Sequence, residues 1–544
     1  VNYSIVYVIT TLLFYYVLHK FATKNKKLIL IPPCSKFLFD YKKILCYNRC
    51  MKKNFLLLVL LLALGALSLL LNAGKEIPDP WQRQLLKYAE IYSLIKEYYP
   101  EPVKIKELSF SSIRGFLSTL DPHSYFLDPV AMRSLNEDQQ GNYYGIGTRI
   151  TKYEDRLTVI APLVGTPAYQ LGIMAGDVIV EIDGKATQDL SLDESMRLLR
   201  GAKGTVVTIK VRREGIEGLI PFKIERAEIP LNSISYSLVL PGAPGIGYIS
   251  IRTFGNTTAA EFKENIESLI EENKIKALIL DLRGNAGGSL YAAVDVADFF
   301  LEKGTVIVSL KGRAFNQHFA AKKNGQYENL PVVVLINRGS ASASEIVASA
   351  LQDSHRAVII GSRSWGKGLV QTISRLSLNT SVALTTAKYY TPANKCLQRD
   401  FNEVDDYFFF LDTNYSHYDT DKTIEGGVIP DITIAPDFYP QPIVSFISRG
   451  IFFKFARYLI ETDGTITQSF KADQQVIREF KKFLNKTNLR YDPGAFENHT
   501  EIIRREIERE VLSSKFSPSE GLKIFLKSDP VTQKAVEVLK KKYD

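Results

Sequence analysis

The residues best suited to chemistry lie in two short stretches, GSASASEIVASALQD (339–353) and GSRSWGKG (361–368). Gly361, Gly366 and Lys367 of the second follow the Gly-x-x-x-x-Gly-Lys pattern of a phosphate-binding loop. Such a loop needs Ser or Thr after the lysine to hold Mg²⁺, and this chain has Gly368. It must also open a helix whose N-terminus faces the phosphates, whereas the following LVQTISRLSL reads as a strand. The lysine therefore has another role. The first stretch sets Ser340, Ser342 and Ser344 between an apolar strand, PVVVLINR, and a helix. One serine there is expected simply to cap the helix; three exceed that need, and a helix start aims unpaired N–H groups into the adjoining crevice. A serine attacking a carbonyl needs a base. No His/Asp pair stands near, but a lysine made neutral by burial can serve. Lys367 sits between two glycines, beside Trp365, with no acid within a dozen residues on either side. Glu345 and Asp353 flank the serine-led helix and are read as structural.

The elements that must carry these residues form several domains, as 544 residues suggest. Residues 245–435 alternate strands and helices. GIGYISIRTF, ALILDLRG, PVVVLINR and AVIIG are near-continuous apolar strands, separated by TTAAEFKENIESLIEENK, YAAVDVADFFLE and SASEIVASALQD. That pattern predicts a layered α/β domain with a largely parallel sheet, whose ligands gather at the carboxyl ends of strands. DLRGNAGG (281–288) ends one such strand in a glycine turn suited to holding an oxyanion.

Residues 140–226 change character, with short strands, Gly turns and one helix, LSLDESMRLLRG. Gly172, Ile173, Ala175, Gly176, Asp177, Ile179, Ile182 and Gly184 match a pattern that resembles a PDZ domain. PDZ domains take an extended peptide as an added strand and cup its terminal carboxylate in backbone N–H groups. The loop resembling that cup is Tyr144-Gly145-Ile146-Gly147, where glycine lets backbone approach a ligand. Residues 78–138 read as helical with a turn, LDPHSYFLDP, in which His123 is assigned a structural role. Residues 436–544 read as a charged, mainly helical extension without chemistry of its own.

Taken together, GSASASEIVASALQD, SWGKGLVQ, DLRGNAGG, the PDZ-like module, LTTAKYYTPA and GGVIPDI resemble the carboxyl-terminal processing, or tail-specific, proteases over roughly residues 80–435. The resemblance implies a serine endopeptidase without a cofactor. Ser342 would be its nucleophile and Lys367, 25 positions later, its base. Gln371 would orient the amine, and the amides of Gly288, Gly287 and Ala343 would hold the oxyanion. Protein substrates would be recognised by apolar C-terminal tails. Trp365 stands where the family more often has Phe. NKCLQRDFNE follows Ala393 where Ser-Gly-Arg is common; neither departure removes a catalytic group. The competing class, a PDZ scaffold without proteolysis, would be signalled by loss of Ser342 or Lys367, and both are present.

The net charge of +9 is not a nucleic-acid footprint. Residues 1–50 hold eight basic residues against one acid, and Lys52 and Lys53 follow. Of 68 basic and 59 acidic residues, 58 of each then lie beyond Lys53, so the excess sits wholly at one end. MKKNFLLLVLLLALGALSLLLNA (51–73) has the form of an export signal, with Met51, two lysines, an apolar run and small residues. Residues 51–74 are expected to act as a cleaved signal or a membrane anchor, placing the enzyme outside the cytoplasm, in a periplasm or on the outer membrane face. Residues 1–50 read as an over-extended reading frame, the alternative being a first transmembrane helix. Cys34, Cys46 and Cys50 precede Met51, leaving Cys396 alone and no internal disulfide. CYNRC lacks further ligands, and no H-E-x-x-H occurs, so no metal is expected.

Overall fold

The computed structural model describes residues 80–400 and 426–543, apart from positions 154, 164, 214–215, 436–438, 441, 488 and 490. The export-signal segment, residues 1–50 and the CYNRC pair lie outside the described residues. Among the described residues, no helix is long and apolar enough to cross a membrane. The chain divides into two units at Lys104/Ile105. The described part of the first is residues 80–104, chiefly the helix Pro80–Tyr98, on which Trp81, Leu85, Leu86, Ile91 and Leu94 are exposed.

The second unit is built on a six-stranded sheet. Its order is Ile234–Val239, Ile246–Ile251, Ala277–Asp281, Val332–Ile336, Ala357–Gly361 and Ile432–Thr433. The first pair is antiparallel and the rest parallel. ALILD and VVVLI are buried at every position, which is why they show no polar alternation. Alternate residues face opposite sides. Leu278, Leu280, Val332 and Val334 join a core with the helices Thr258–Glu271, Leu290–Asp298 and Ala343–Asp353. Ile279, Val333, Leu335 and Ile360 join Leu526, Ala535, Val536 and Leu539 of the last two helices, Pro518–Ser528 and Pro530–Tyr543. These helices were expected to belong to a separate extension. They are instead the second cover of the sheet, because strands apolar on both faces cannot leave one face to water.

A second sheet is antiparallel. Ser381–Tyr390 pairs with Leu369–Arg375, with Val306–Lys311 and with Tyr125–Leu127. The turn before Tyr125 thereby reaches the strand next to Lys367. The PDZ module lies between these parts in sequence. Its sheet runs Thr148–Tyr153, Arg156–Pro162, Val178–Ile182, Val206–Arg212, Ile220–Glu225. Leu157, Val159, Ile179, Ile209 and Ile224 fill its core. Its helix Leu192–Leu199 starts on a capping box between Ser191 and Glu194. A two-stranded ladder, Asn142–Gly145 with Ala227–Pro230, joins the chain entering the module to the chain leaving it. Residues 443–511 form a helical bundle around Phe446, Phe452, Phe455, Phe480 and Phe496.

Candidate active site

The three serines have different surroundings. Ser340 donates to the Leu282 carbonyl (2.8 Å) and accepts from the Asn337 amide (3.0 Å). Ser344 donates to the Asn285 carbonyl (2.8 Å). Both are fully buried. Ser342 is half-buried and its hydroxyl donates to no described residue. It stands at the start of the helix Ala343–Asp353 with φ 54° and ψ −111°. Capping serines use extended backbone; a non-glycine residue at positive φ is strained, and such strain gathers at functional sites.

The DLRGNAGG turn is laced to this corner. Asn285, fully buried, donates to the Ile251 carbonyl (2.8 Å), and its own carbonyl accepts from Ala341 (3.0 Å) and Ser344. At Gly287 (φ 103°) a side chain would stand 2.8 Å from both the Ala341 carbonyl and the Ser342 Cβ; at Gly288 (φ 138°) it would be 2.1 Å from the Phe254 carbonyl. Only glycine lets this backbone lie so close to the serine. Gly287 was expected to be an oxyanion donor, but its N–H is committed to Asn285 Oδ1 at 2.8 Å. The amides of Gly288 and of Ala343, the latter at the open N-terminus of the helix, have no acceptor among the described residues.

Lys367 is brought to Ser342 by a residue read as merely structural. Glu345 is fully buried. Its Oε2 accepts from the amides of Ser342 (2.7 Å) and Lys367 (2.9 Å), and its Oε1 from Ser364 Oγ (2.6 Å) and the Gly366 amide (2.7 Å). The amide nitrogens of Ser342 and Lys367 share one oxygen atom, so they are no farther apart than those two bonds laid end to end. The Trp365 amide adds a bond to the Ser340 carbonyl (2.9 Å). Gly366 and Gly368 are closely approached: a Cβ would lie 2.7 Å from Arg399 Cβ at the first and 2.3 Å from the Gln398 amide at the second.

The Lys367 amine makes no hydrogen bond or ion pair with a described residue. Burial lowers its pKa, and the Glu345 carboxylate opposes that shift. The absence of a nearby acid in sequence is thus corrected in space. Burial likewise pushes the Glu345 carboxyl upward, against its four donors. His123 also enters the site. Burial, the charge of Lys367 and the opposing charge of Asp121 leave it at about 4, a neutral imidazole at ordinary pH. Its turn is held by Asp121, which accepts from the His123 amide (2.7 Å), Ser124 and Thr385 Oγ1 (3.1 Å). Thr385 is the register partner of Gln371. Gln371 stands at a register shift in its strand, with its Nε2 buried and unpartnered among the described residues. Asp353 is remote from this chemistry, accepting from the Ala393 amide (2.9 Å).

In the PDZ module, Ile146 and Gly147 line a groove of about 800 Å³ with Tyr143, Ile150, Met196 and Leu199. Arg149, Arg200 and Arg252 stand on its walls. Gly147 (φ 78°) needs to be glycine because a Cβ would strike Thr166 at 2.3 Å. Tyr144 and Gly145 do not line this groove; they pair with Glu228 and Ala227 in the connecting ladder. Sequence reasoning missed Glu345, Asn285 and Tyr143. The Ser-x-x-Glu spacing of Ser342 and Glu345 was the signal for the first, and it reads as an ordinary capping box.

A profile of peptidase family S41 matches residues 245–405, and one of the PDZ domain matches residues 158–213. The chain is 38% identical over 321 residues to a carboxy-terminal-processing protease of Bartonella bacilliformis, covering 58% of this chain and 73% of that one. It is 32% identical to the carboxyl-terminal-processing protease of Synechocystis, covering 70% of this chain and 82% of that one. It is 30% identical to carboxy-terminal processing protease CtpA of Bacillus subtilis, with the same two coverages. A profile match over the site just described, joined to relatives matched over most of their own length, assigns this chain to peptidase family S41 as a PDZ-containing carboxyl-terminal processing serine protease.

Proposed function

We propose that Ser342 and Lys367 form the catalytic dyad of this protease and that the PDZ groove presents the substrate's C-terminal tail to it. The observation that carries the reading is the single Glu345 oxygen shared by the Ser342 and Lys367 amides, with Ser342 in strained backbone and its hydroxyl proton donated to no described residue. An apolar tail would lie as an added strand beside Thr148–Tyr153, its side chains against Ile146, Ile150, Met196 and Leu199 and its carboxylate at Ile146-Gly147.

Neutral Lys367 takes the Ser342 proton as Oγ attacks the scissile carbonyl. The oxyanion rests on the Gly288 and Ala343 amides, each such donor being worth about 3 kcal/mol in the transition state. The C–N bond breaks and the Lys367 ammonium gives its proton to the leaving amine. Water then attacks the acyl ester and Lys367 accepts its proton; the ester C–O bond breaks, the carboxylic product leaves, and Lys367 returns the proton to Ser342 Oγ. Gln371, beside this loop, orients the amine. The MKKNFLLLVLLLALGALSLLLNA segment supports export, as a cleaved signal or an anchor, to a compartment outside the cytoplasm.

The test is cleavage of a tailed protein substrate by Ser342→Ala and Lys367→Ala. Each is expected to lose at least 10³-fold in kcat with an unchanged melting temperature. Near-full proteolysis by Lys367→Ala would refute the dyad. Protease protection of the protein in spheroplasts, with the outer membrane opened and the cytoplasmic membrane intact, would refute export.

A further inference from the structure

Sequence reasoning found no chemistry in the C-terminal helices, yet one of their residues reaches the strand end that carries the oxyanion turn. Arg283 lies two residues beyond Asp281 and five before Gly288. Its Nε and Nη2 grip the Asp281 carboxylate (3.0 and 2.6 Å), which also accepts from the Tyr248 hydroxyl (2.7 Å). Its remaining arm, Nη1, donates to Asp529 Oδ2 at 2.7 Å, across 246 residues of sequence. Asp529 is 6% exposed and takes the Thr532 amide and hydroxyl at the start of the last helix. A cavity of about 210 Å³ opens beside Arg283, lined also by Asn337, Ser362 and Asp529. On that side Asp529, with the nearby ring of Phe525 (5.9 Å), holds the guanidinium. Beyond Arg283, the Gly284 amide is bound to Asn337 (2.9 Å) and Asn285 to the serine corner.

We propose that Asp529 is a positioning residue for catalysis: by fixing Arg283 across the 246-residue gap, it sets the register of the turn that offers the Gly288 amide to the oxyanion. The last helix then serves two purposes, covering the sheet and bracing the oxyanion hole from behind. A bracing role differs from simple stabilisation because it acts on the transition state and not on tail binding. It rests on the dyad reading above. If the wild type shows no Ser342-dependent turnover, that reading has failed; if the wild type turns over and the variants match it, only the bracing role has.

The experiment compares Asp529→Asn, which keeps the helix-capping oxygen but loses the charge, with Asp529→Glu and with Val536→Ala. Val536 packs the last helix on the sheet and has no polar atom to offer the Arg283–Asp281–Asp529 cluster, so it reports loosened docking. Rates are divided by the active-site titre, so unfolded protein does not count. Substrates are a tailed peptide ester and its thiono counterpart, whose sulfur responds poorly to an oxyanion hole. Asp529→Asn is expected to lower kcat on the ester at least tenfold with KM and tail-peptide affinity within twofold. The ester-to-thiono-ester rate ratio should fall in parallel, and Asp529→Glu should recover part of the rate. Val536→Ala should lower the melting temperature and leave kcat per site unchanged. A kcat within twofold of wild type in Asp529→Asn, an unchanged rate ratio, or an equal kcat loss in Val536→Ala would each overturn the proposal.

Discussion

Replacing Glu345 with Gln tests how the site is assembled. Each carboxylate oxygen receives two donors: Ser364 Oγ and the Gly366 amide on Oε1, the Ser342 and Lys367 amides on Oε2. A glutamine amide group can replace only one of those oxygens with another acceptor. Turned toward Oε2 its NH₂ faces two amides; turned toward Oε1 it faces the Gly366 amide and the Ser364 hydroxyl, which can rotate to accept, so at least one buried N–H loses its acceptor. At about 1–3 kcal/mol for each group left unsatisfied, the loss is at least about 1–3 kcal/mol, a sizeable part of the ~5–15 kcal/mol that holds a domain. The serine corner and the lysine loop then lose their common anchor. The electrostatic consequence is separate and has a definite sign. The Glu345 charge favours the Lys367 ammonium, so removing it lowers the lysine pKa further. Activity that requires the neutral amine rises with pH through that pKa, so its acid limb moves to lower pH in Glu345→Gln. Urea unfolding gives the stability, and kcat/KM from pH 5 to 10, per titrated site, gives the limb. A variant with wild-type stability and an unmoved limb would refute the assembly argument.

Two further predictions concern groups around this centre. His123 is held at about 4 in the folded protein against 6.5 when unfolded, so the unfolded chain binds the extra proton between those values. The resulting stability is present above pH 6.5 and lost as pH falls toward 4. At ~1.4 kcal/mol per unit, halved for a half-exposed ring, the loss is about 1–2 kcal/mol, and His123→Gln should flatten it in urea titrations across that range. Gly288→Ala would place a methyl 2.1 Å from the Phe254 carbonyl in a backbone conformation alanine avoids. It should lower kcat at least 10²-fold, while tail-peptide binding to the PDZ groove, followed by fluorescence anisotropy, stays within twofold. Equal losses in both would show that the change unfolds more than the oxyanion turn.

Much of this was legible in one dimension. The apolar runs ALILD, VVVLI and AVIIG mark buried parallel strands because a strand buried on both faces has no polar alternation to show. The serine-rich corner, the glycine turn and Lys367 each carry local signals, and the PDZ pattern is dense in turn glycines with positive φ, such as Gly172, Gly176 and Gly184. Glu345 was legible only as a cap, since spacing cannot tell a surface carboxylate from one that takes three of its four donors from a loop some twenty residues on. Gly287 was misassigned because nothing local says that the Asn285 side chain turns back on its amide.

By itself, then, the chain's local pattern determined the element types, the modular order and the chemical groups available: backbone preferences and burial periodicity act over a few residues and are written there. Tertiary structure alone decided which of three serines donates its hydroxyl to no described neighbour, which glycine amide is left to donate, that His123 and Glu345 stand around Lys367, and that the last helix closes the sheet while Asp529 at its start reaches Arg283. Those outcomes depend on which distant polar groups satisfy one another once water is excluded, and that pairing exists only in the assembled fold.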